Sequence, residues 1–198
     1  ACARHGVETR FFEGRALRDF CDSPAYSAGL FEPNYALVNP ARLVAGLAGA
    51  CTARGVQIFE NSQASGIASQ ADGVRIDTAR GCIRAKRTIL ATNAFQPLLR
   101  RLRSTIIPIF DYALMTRPLT DAQLAAIGWQ GRHGIADSGN QFHYSRKTAD
   151  NRILWGGFDA IYHYGSRRDA ALYDRPESFD RLKANFHAVF PSLDGIGF

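Results

Sequence analysis

The sequence predicts two fold classes in one chain. Residues 39–95 read as α/β, and residues 1–38 and 96–198 read as α+β built on an antiparallel sheet. Three observations predict this. "NPARLVAGLAGACTARG" is a capped amphipathic helix followed by strand-like runs that end in "TILAT". Two aromatic-rich runs flank the polar turn Thr148-Ala149-Asp150-Asn151. "PESFDRLKANFHAVFPSL" repeats its large apolar residues at helical spacing.

The first forty residues are mixed, with turn punctuation at "DSPAYSAG" and "FEPNYA". In the helix that follows, Asn39 is a good N-cap, Pro40 sits where a helix tolerates it, and Gly55 suits its end. Leu43, Val44, Leu47 and Cys51 share one face, with Ala and Gly beside them for close packing, as in a helix laid against a sheet. "VQIFEN" then reads as a short strand. "GVRIDTARGCIRAK" alternates Val74, Ile76 and Thr78 with Arg75 and Asp77 and turns at Arg80-Gly81. "TILAT" reads as a buried strand. Helix, strand, hairpin, strand is the order of the second half of a Rossmann-like nucleotide-binding domain. The GxGxxG fingerprint that opens the first half is absent; the nearest stretch, "GLAGAC", lies inside the helix.

Beyond Phe95, "STIIPIFDYALMT" is strand-like. "TDAQLAAIG" is a short helix with a capping box from Thr120 to Gln123 and Gly128 just past its end. "NQFHYSRKTADNRILWGGFD" is a β-hairpin. The last helix buries Phe179, Leu182, Phe186, Val189 and Phe190, and Pro191 stops it.

The chain has 198 residues, 46% hydrophobic and 21% charged, an ordinary globular composition. It holds no apolar run of about eighteen residues, so no membrane span is expected. The net charge of +6 is scattered. The tight cluster Arg100, Arg101 and Arg103 in "LLRRLRS" fits a solvated face better than a nucleic-acid surface. Cys2, Cys21, Cys51 and Cys82 form no CxxC pair, which speaks against a zinc site or a disulfide framework and for buried, reduced thiols in a cytoplasmic protein. His133, His143, His163 and His187 lack metal-ligand spacing, and no activated nucleophile is apparent. The start "ACARHG" has no initiating Met and no signal-peptide core, which suits a fragment of a longer chain as well as a mature secreted protein.

"NPARLVAGLAGACTARGVQIFENSQASGI", "ILATNAF", "MTRPLTDAQ" and "YSRKTADNRILWGGFDA" occur in the order found in FAD-dependent oxidoreductases of the D-amino acid oxidase superfamily. The chain resembles most the branch of gamma-glutamylputrescine oxidoreductase and the sarcosine-oxidase-like amine oxidases. The resemblance covers nearly the whole chain. It implies FAD as cofactor, a small-molecule amine or amino acid oxidised by hydride transfer to flavin, and an internal fragment lacking both the GxGxxG segment and a later flavin-contacting one.

By the same resemblance, Ala91, Thr92, Asn93 and Ala94 line FAD, and the backbone at Ala64 meets adenine. Tyr144, Arg146 and Trp155 lie nearest the substrate, Arg146 suited to a carboxylate and the rings to a cationic amine. From the residues alone, Thr92 and Asn93 equally suit a strand cap, the hairpin aromatics a core, and Arg146 a solvated face. The chain departs from some relatives in having no Lys near Leu154 or Trp155, which leaves oxidase and dehydrogenase chemistry both open. Two other functions stay open: a non-catalytic α/β binding module, and a flavoenzyme acting on a hydroxy acid or polyol. Substrate identity, electron acceptor and oligomeric state are not encoded in any motif found.

Overall fold

The computed structural model describes residues 2–95 and 97–198, with side chains from Arg4 onward, so the Cys2 thiol lies outside the described residues. In chain order the elements are β1 (Arg10–Glu13), α1 (Gly14–Arg18), β2 (Ala28–Phe31), α2 (Pro40–Ala53), β3 (Ala64–Gln70), β4 (Gly73–Thr78), β5 (Gly81–Ala85), β6 (Ala113–Met115), α3 (Asp121–Ala126), β7 (Ile135–Ala136), β8 (His143–Lys147), β9 (Ile153–Gly157) and α4 (Pro176–Val189). They divide into two compact units, Ala1–Leu37 with Ile109–Phe198, and Val38–Pro108.

The first unit is organised by a four-stranded antiparallel sheet in the order β6-β9-β8-β7. Helix α4 packs on β6 and β9. Its sequence explains why. Pro176 fixes the first turn, where its missing N–H costs nothing. Leu182 and Phe186, four apart, fall on one face with Phe190 just past the helix end, and all three are buried. They meet Trp129, Ile153 and Trp155 in one apolar cluster. Burying a side chain such as Phe186 stabilises the unit by roughly 1.5–3 kcal/mol.

Two short elements are locked by side chains. At α3, Thr120 Oγ1 accepts from Gln123 N while Gln123 Oε1 accepts from Thr120 N, a reciprocal capping box. In the turn joining β8 to β9, Thr148 Oγ1 donates to Asp150 Oδ1 at 2.6 Å and accepts from Arg152 N at 3.0 Å. Asn151 takes the left-handed conformation there, which Asn tolerates.

Less of "STIIPIFDYALMT" pairs than its pattern predicts. Ala113–Met115 form β6, and Phe110 makes an isolated bridge to Ile161. The partner strand explains the gap: β9 ends at Gly157 (φ +100), followed by Phe158 (φ +71), and this bend breaks the ladder. The hairpin of β1 and β2, with Arg10 opposite Phe31, was hidden behind the turn signals of the first forty residues. Phe12, Phe20 and Phe31 cluster around it, with the Phe12 and Phe20 ring centroids 4.4 Å apart.

The second unit contains α2 and the meander β3-β4-β5. Asn39 Oδ1 accepts from Arg42 N at 3.1 Å, Pro40 begins the helix, and Gly55 (φ +84) lies just beyond it. The predicted hairpin pairs as its alternation requires, Ile76 opposite Ile83. Strand β3 was not foreseen, because "ASGIASQ" is small and polar and gives little β signal.

Three expectations are corrected here. "VQIFEN" and "TILAT" are not strands: residues 56–59 and 87–92 carry no assigned strand. A strand needs a neighbour for its N–H and C=O groups, and no described strand pairs with either stretch. Helix α2 is not laid against a sheet within its unit; Leu43, Val44 and Leu47 are 49%, 66% and 56% exposed. Nor are the thiols uniformly buried. Cys21 is, but Cys51, on the uncovered face of α2, and Cys82, on the edge strand β5, are exposed. No helix among the described residues is long and apolar enough to cross a membrane.

Candidate functional site

The residues expected to meet a nucleotide all lie in the second unit. Thr92 to Phe95 form a tight turn, with Phe95 N donating to Thr92 O at 3.0 Å. Asn93 adopts φ +49, which its short polar side chain permits. Ala91 and Asn93 are exposed, and Thr92 and Ala94 half-buried. The apolar run that ends in a small polar pair is therefore a backbone-presenting turn. Ala64 opens β3 opposite Thr78, just before a register irregularity at Ala64/Gly66, and is half-buried.

The residues expected to meet a substrate lie in the first unit, on β8 and β9, and strand alternation sorts them. Tyr144 faces Gly156 across the ladder and Arg146 faces Leu154, so these four share one sheet face. Ala113 and Met115 of β6 extend it, because they pair with Gly156 and Leu154. This face is open: Met115 is 40% exposed, and Tyr144, Arg146 and Leu154 are half-buried. Trp155 pairs with Ser145 and belongs to the opposite face. Its indole is 1% exposed, stacked on His143 at 4.4 Å and edge-on to Phe186. The structure thus brings Tyr144 and Arg146 together and sets Trp155 in the core, a separation the two-residue period of the paired strands dictates.

Tyr144 is held in two ways. Its ring lies across Gly156, where an added Cβ would meet Tyr144 Cζ at 2.6 Å. Its hydroxyl donates to Asp111 Oδ2 at 3.0 Å. Burial, then the hydrogen bond to Asp111 and its negative charge, push the phenol up to about 12. Asp111 was not singled out from the sequence. Its signal was its place in "FDYALM", where Asp111, Ala113 and Met115 follow the same alternation.

The opposite face carries further polar groups, of which Lys147 was not singled out from the sequence. The Nε2 of buried His143 lies 2.9 Å from Asn185 Nδ2, and its Nδ1 lies 3.3 Å from Gly156 O. An Nδ1–H donating to the carbonyl, with Nε2 accepting from the amide, satisfies both. Lys147 donates to the carbonyl of Trp129 and lies 5.9 Å above its ring. Burial, then the nearby charge of Arg132, lower its pKa. Both residues tie strands to the core. Among the described residues no cluster of His, Cys, Asp or Glu has the makings of a metal site.

Comparison with known proteins adds to this geometry. Residues 1–197 match the family model described as FAD dependent oxidoreductase (DAO). The chain is 29% identical over 185 residues to probable oxidoreductase OrdL of Haemophilus influenzae, covering 91% of this chain and 40% of that protein. It is 27% identical over 192 residues to gamma-glutamylputrescine oxidoreductase of Escherichia coli, covering 96% and 42%. The crystal structure of glycine oxidase from Geobacillus kaustophilus superposes with a TM-score of 0.71 at 17% identity, over 100% of this chain and 50% of that one. That likeness is one of fold. The chain spans half or less of the length of each of these proteins.

Proposed function

The chain belongs to the FAD-dependent oxidoreductase (DAO) family, and from that premise we propose that it is an internal part of a flavoenzyme that oxidises an amine or amino acid. The match of residues 1–197 to the family is the observation that carries this reading. Internal position is supported by the uncovered apolar face of α2 and by two strand-like stretches that pair with no described strand. A strand needs paired neighbours and an apolar helix face needs cover, so both features fit a unit completed by other residues of a longer polypeptide.

FAD, when bound, supplies the acceptor for the hydride. The second unit's residues fit a nucleotide. Ala91, Thr92, Asn93 and Ala94 form a turn of small side chains with one left-handed residue, the kind of surface that lets backbone approach a ribose or pyrophosphate. We assign Ala64 to the adenine end. The substrate falls to the open sheet face, where Arg146 is suited to a carboxylate and the Tyr144 ring to an amine-bearing carbon chain. Trp155 and His143 act from behind, holding β8 and β9 rigid. In this reading the substrate is a small molecule and the enzyme is cytoplasmic.

The test is expression of the complete reading frame, gel filtration and anaerobic titration. Co-eluting flavin absorbance, reduced by primary amines or glycine, is the expected result. Reduction by hydroxy acids or polyols alone would move the activity to alcohol oxidation, and absence of flavin would leave a binding module.

A further inference from the structure

The polarity of the hydrogen bond between Tyr144 and Asp111 constrains what the open sheet face can recognise. A phenol has one hydrogen to give. Here it goes to Asp111 Oδ2 at 3.0 Å, and the phenol keeps that proton throughout the neutral range. Toward a ligand the pair therefore offers oxygen lone pairs alone: those of the phenol and the remaining sites of the carboxylate. Among the described residues no cation pairs with Asp111, whose one hydrogen-bond partner is Tyr144. Both side chains lie at the solvent-facing surface, Asp111 exposed and Tyr144 half-buried. Phe142, 48% exposed, sets its ring centroid 6.5 Å from that of Tyr144. Acceptors beside aromatic rings complement an ammonium group, and they repel a carboxylate.

We propose that Asp111 and Tyr144 form an acceptor-only pair that binds the substrate's ammonium group, with Asp111 as a specificity-determining residue. The proposal rests on the reading that this sheet face takes the substrate. It assigns the two charged ends of a substrate to different residues. The nitrogen goes to Asp111 and Tyr144. A carboxylate, where one is present, goes to Arg146, two positions along the same strand and roughly 7 Å away. While its hydrogen points to Asp111, Tyr144 offers a substrate carboxylate no donor.

The experiment titrates the chain with benzylammonium and, separately, benzoate, following the aromatic NMR signals that disappear in Tyr144→Phe. The expected result is saturable benzylammonium binding, weakened about fivefold or more by Asp111→Asn, as loss of a charge-assisted contact predicts. Asp111→Glu restores it in part, and benzoate binding is not weakened. Asp111 is exposed and Phe keeps the packing on Gly156, so both variants fold. Equal benzylammonium affinity in the protein and in Asp111→Asn overturns the proposal. So does a preference for benzoate, or no binding of benzylammonium at all. Flavin reduction by the complete polypeptide is scored separately. Turnover of amines with affinity indifferent to Asp111 removes the pair and leaves the amine-oxidising reading. Ammonium binding without turnover does the reverse.

Discussion

Arg181 Nη1 donates to Asp159 Oδ1 at 2.9 Å, joining helix α4 to the loop that follows β9. The other carboxylate oxygen accepts from Ser178 Oγ at 2.5 Å and Arg175 Nη1 at 3.3 Å. Asp159 and Ser178 are 8% and 1% exposed, so one buried carboxylate gathers three donors. Asp159→Ala should destabilise the unit by about 2–3 kcal/mol. That lies below the full cost of breaking a buried pair, because both arginines reach solvent. A urea midpoint unchanged by the substitution would show the latch to be dispensable.

The two long helices should respond oppositely to truncation. Leu182, 2% exposed in α4, is in the core, and Leu182→Ala should cost about 2–5 kcal/mol. Leu47, 56% exposed in α2, has little packing to lose, and Leu47→Ala should stay within about 0.5 kcal/mol. Chemical denaturation of the chain measures both. A large loss at Leu47 would mean that its face is covered in solution.

Gly157 and Gly165 both have positive φ, +100 and +75, but only one is crowded. A Cβ at Gly157 would lie 2.1 Å from Phe142 O, whereas at Gly165 nothing lies within 4 Å. Gly165→Ala should cost about 1 kcal/mol, the price of a left-handed residue alone. Gly157→Ala should exceed it clearly, since β8 must move. Equal melting temperatures for the two variants would contradict this.

Thiol reactivity should divide the cysteines. Cys21 is 3% exposed, and burial first, with Asp22 adding to it, pushes its thiol up to about 12. Cys51 and Cys82 are exposed. Alkylation at neutral pH, read by peptide mass spectrometry, should mark Cys51 and Cys82 early and Cys21 on unfolding. Early labelling of Cys21 would mean that its pocket opens in the native state.

Tyr144 should give stability an alkaline limb. An unfolded tyrosine ionises near 10, while in the folded protein burial and Asp111 hold Tyr144 up to about 12. The folded state binds this proton more tightly, so the contribution is complete below pH about 10 and is lost as pH rises toward about 12. Tyr144→Phe should flatten part of the fall in stability across that window. Identical pH profiles for the protein and the variant would place the phenol outside this linkage.

Much of the fold was legible because its signals are local. The Asn39-Pro40 start of α2, the Thr120–Gln123 box of α3 and the Pro176-to-Pro191 limits of α4 each rest on neighbouring backbone groups, and each formed where its residues indicated. Alternation gave the pairings of β4 with β5 and β8 with β9. Strand β3 was invisible, because pairing with β4 makes it a strand and its own residues give little sign. The reverse held for "VQIFEN" and "TILAT", whose residues suit strands but find no partner among the described strands.

The candidate site divides the same way. The sequence by itself determined family membership, and that Tyr144 and Arg146, two apart on a strand, share a face. The register of β8 against β9 was decided by tertiary structure, and it sent Trp155 to the core. Tertiary structure also brought Asp111 to the hydroxyl of Tyr144 across 33 residues of chain. Caps, turns and periodicity act over a few residues and can be read from their order. Which strands lie side by side depends on burying one sheet face under α4, and that is a property of the packed unit.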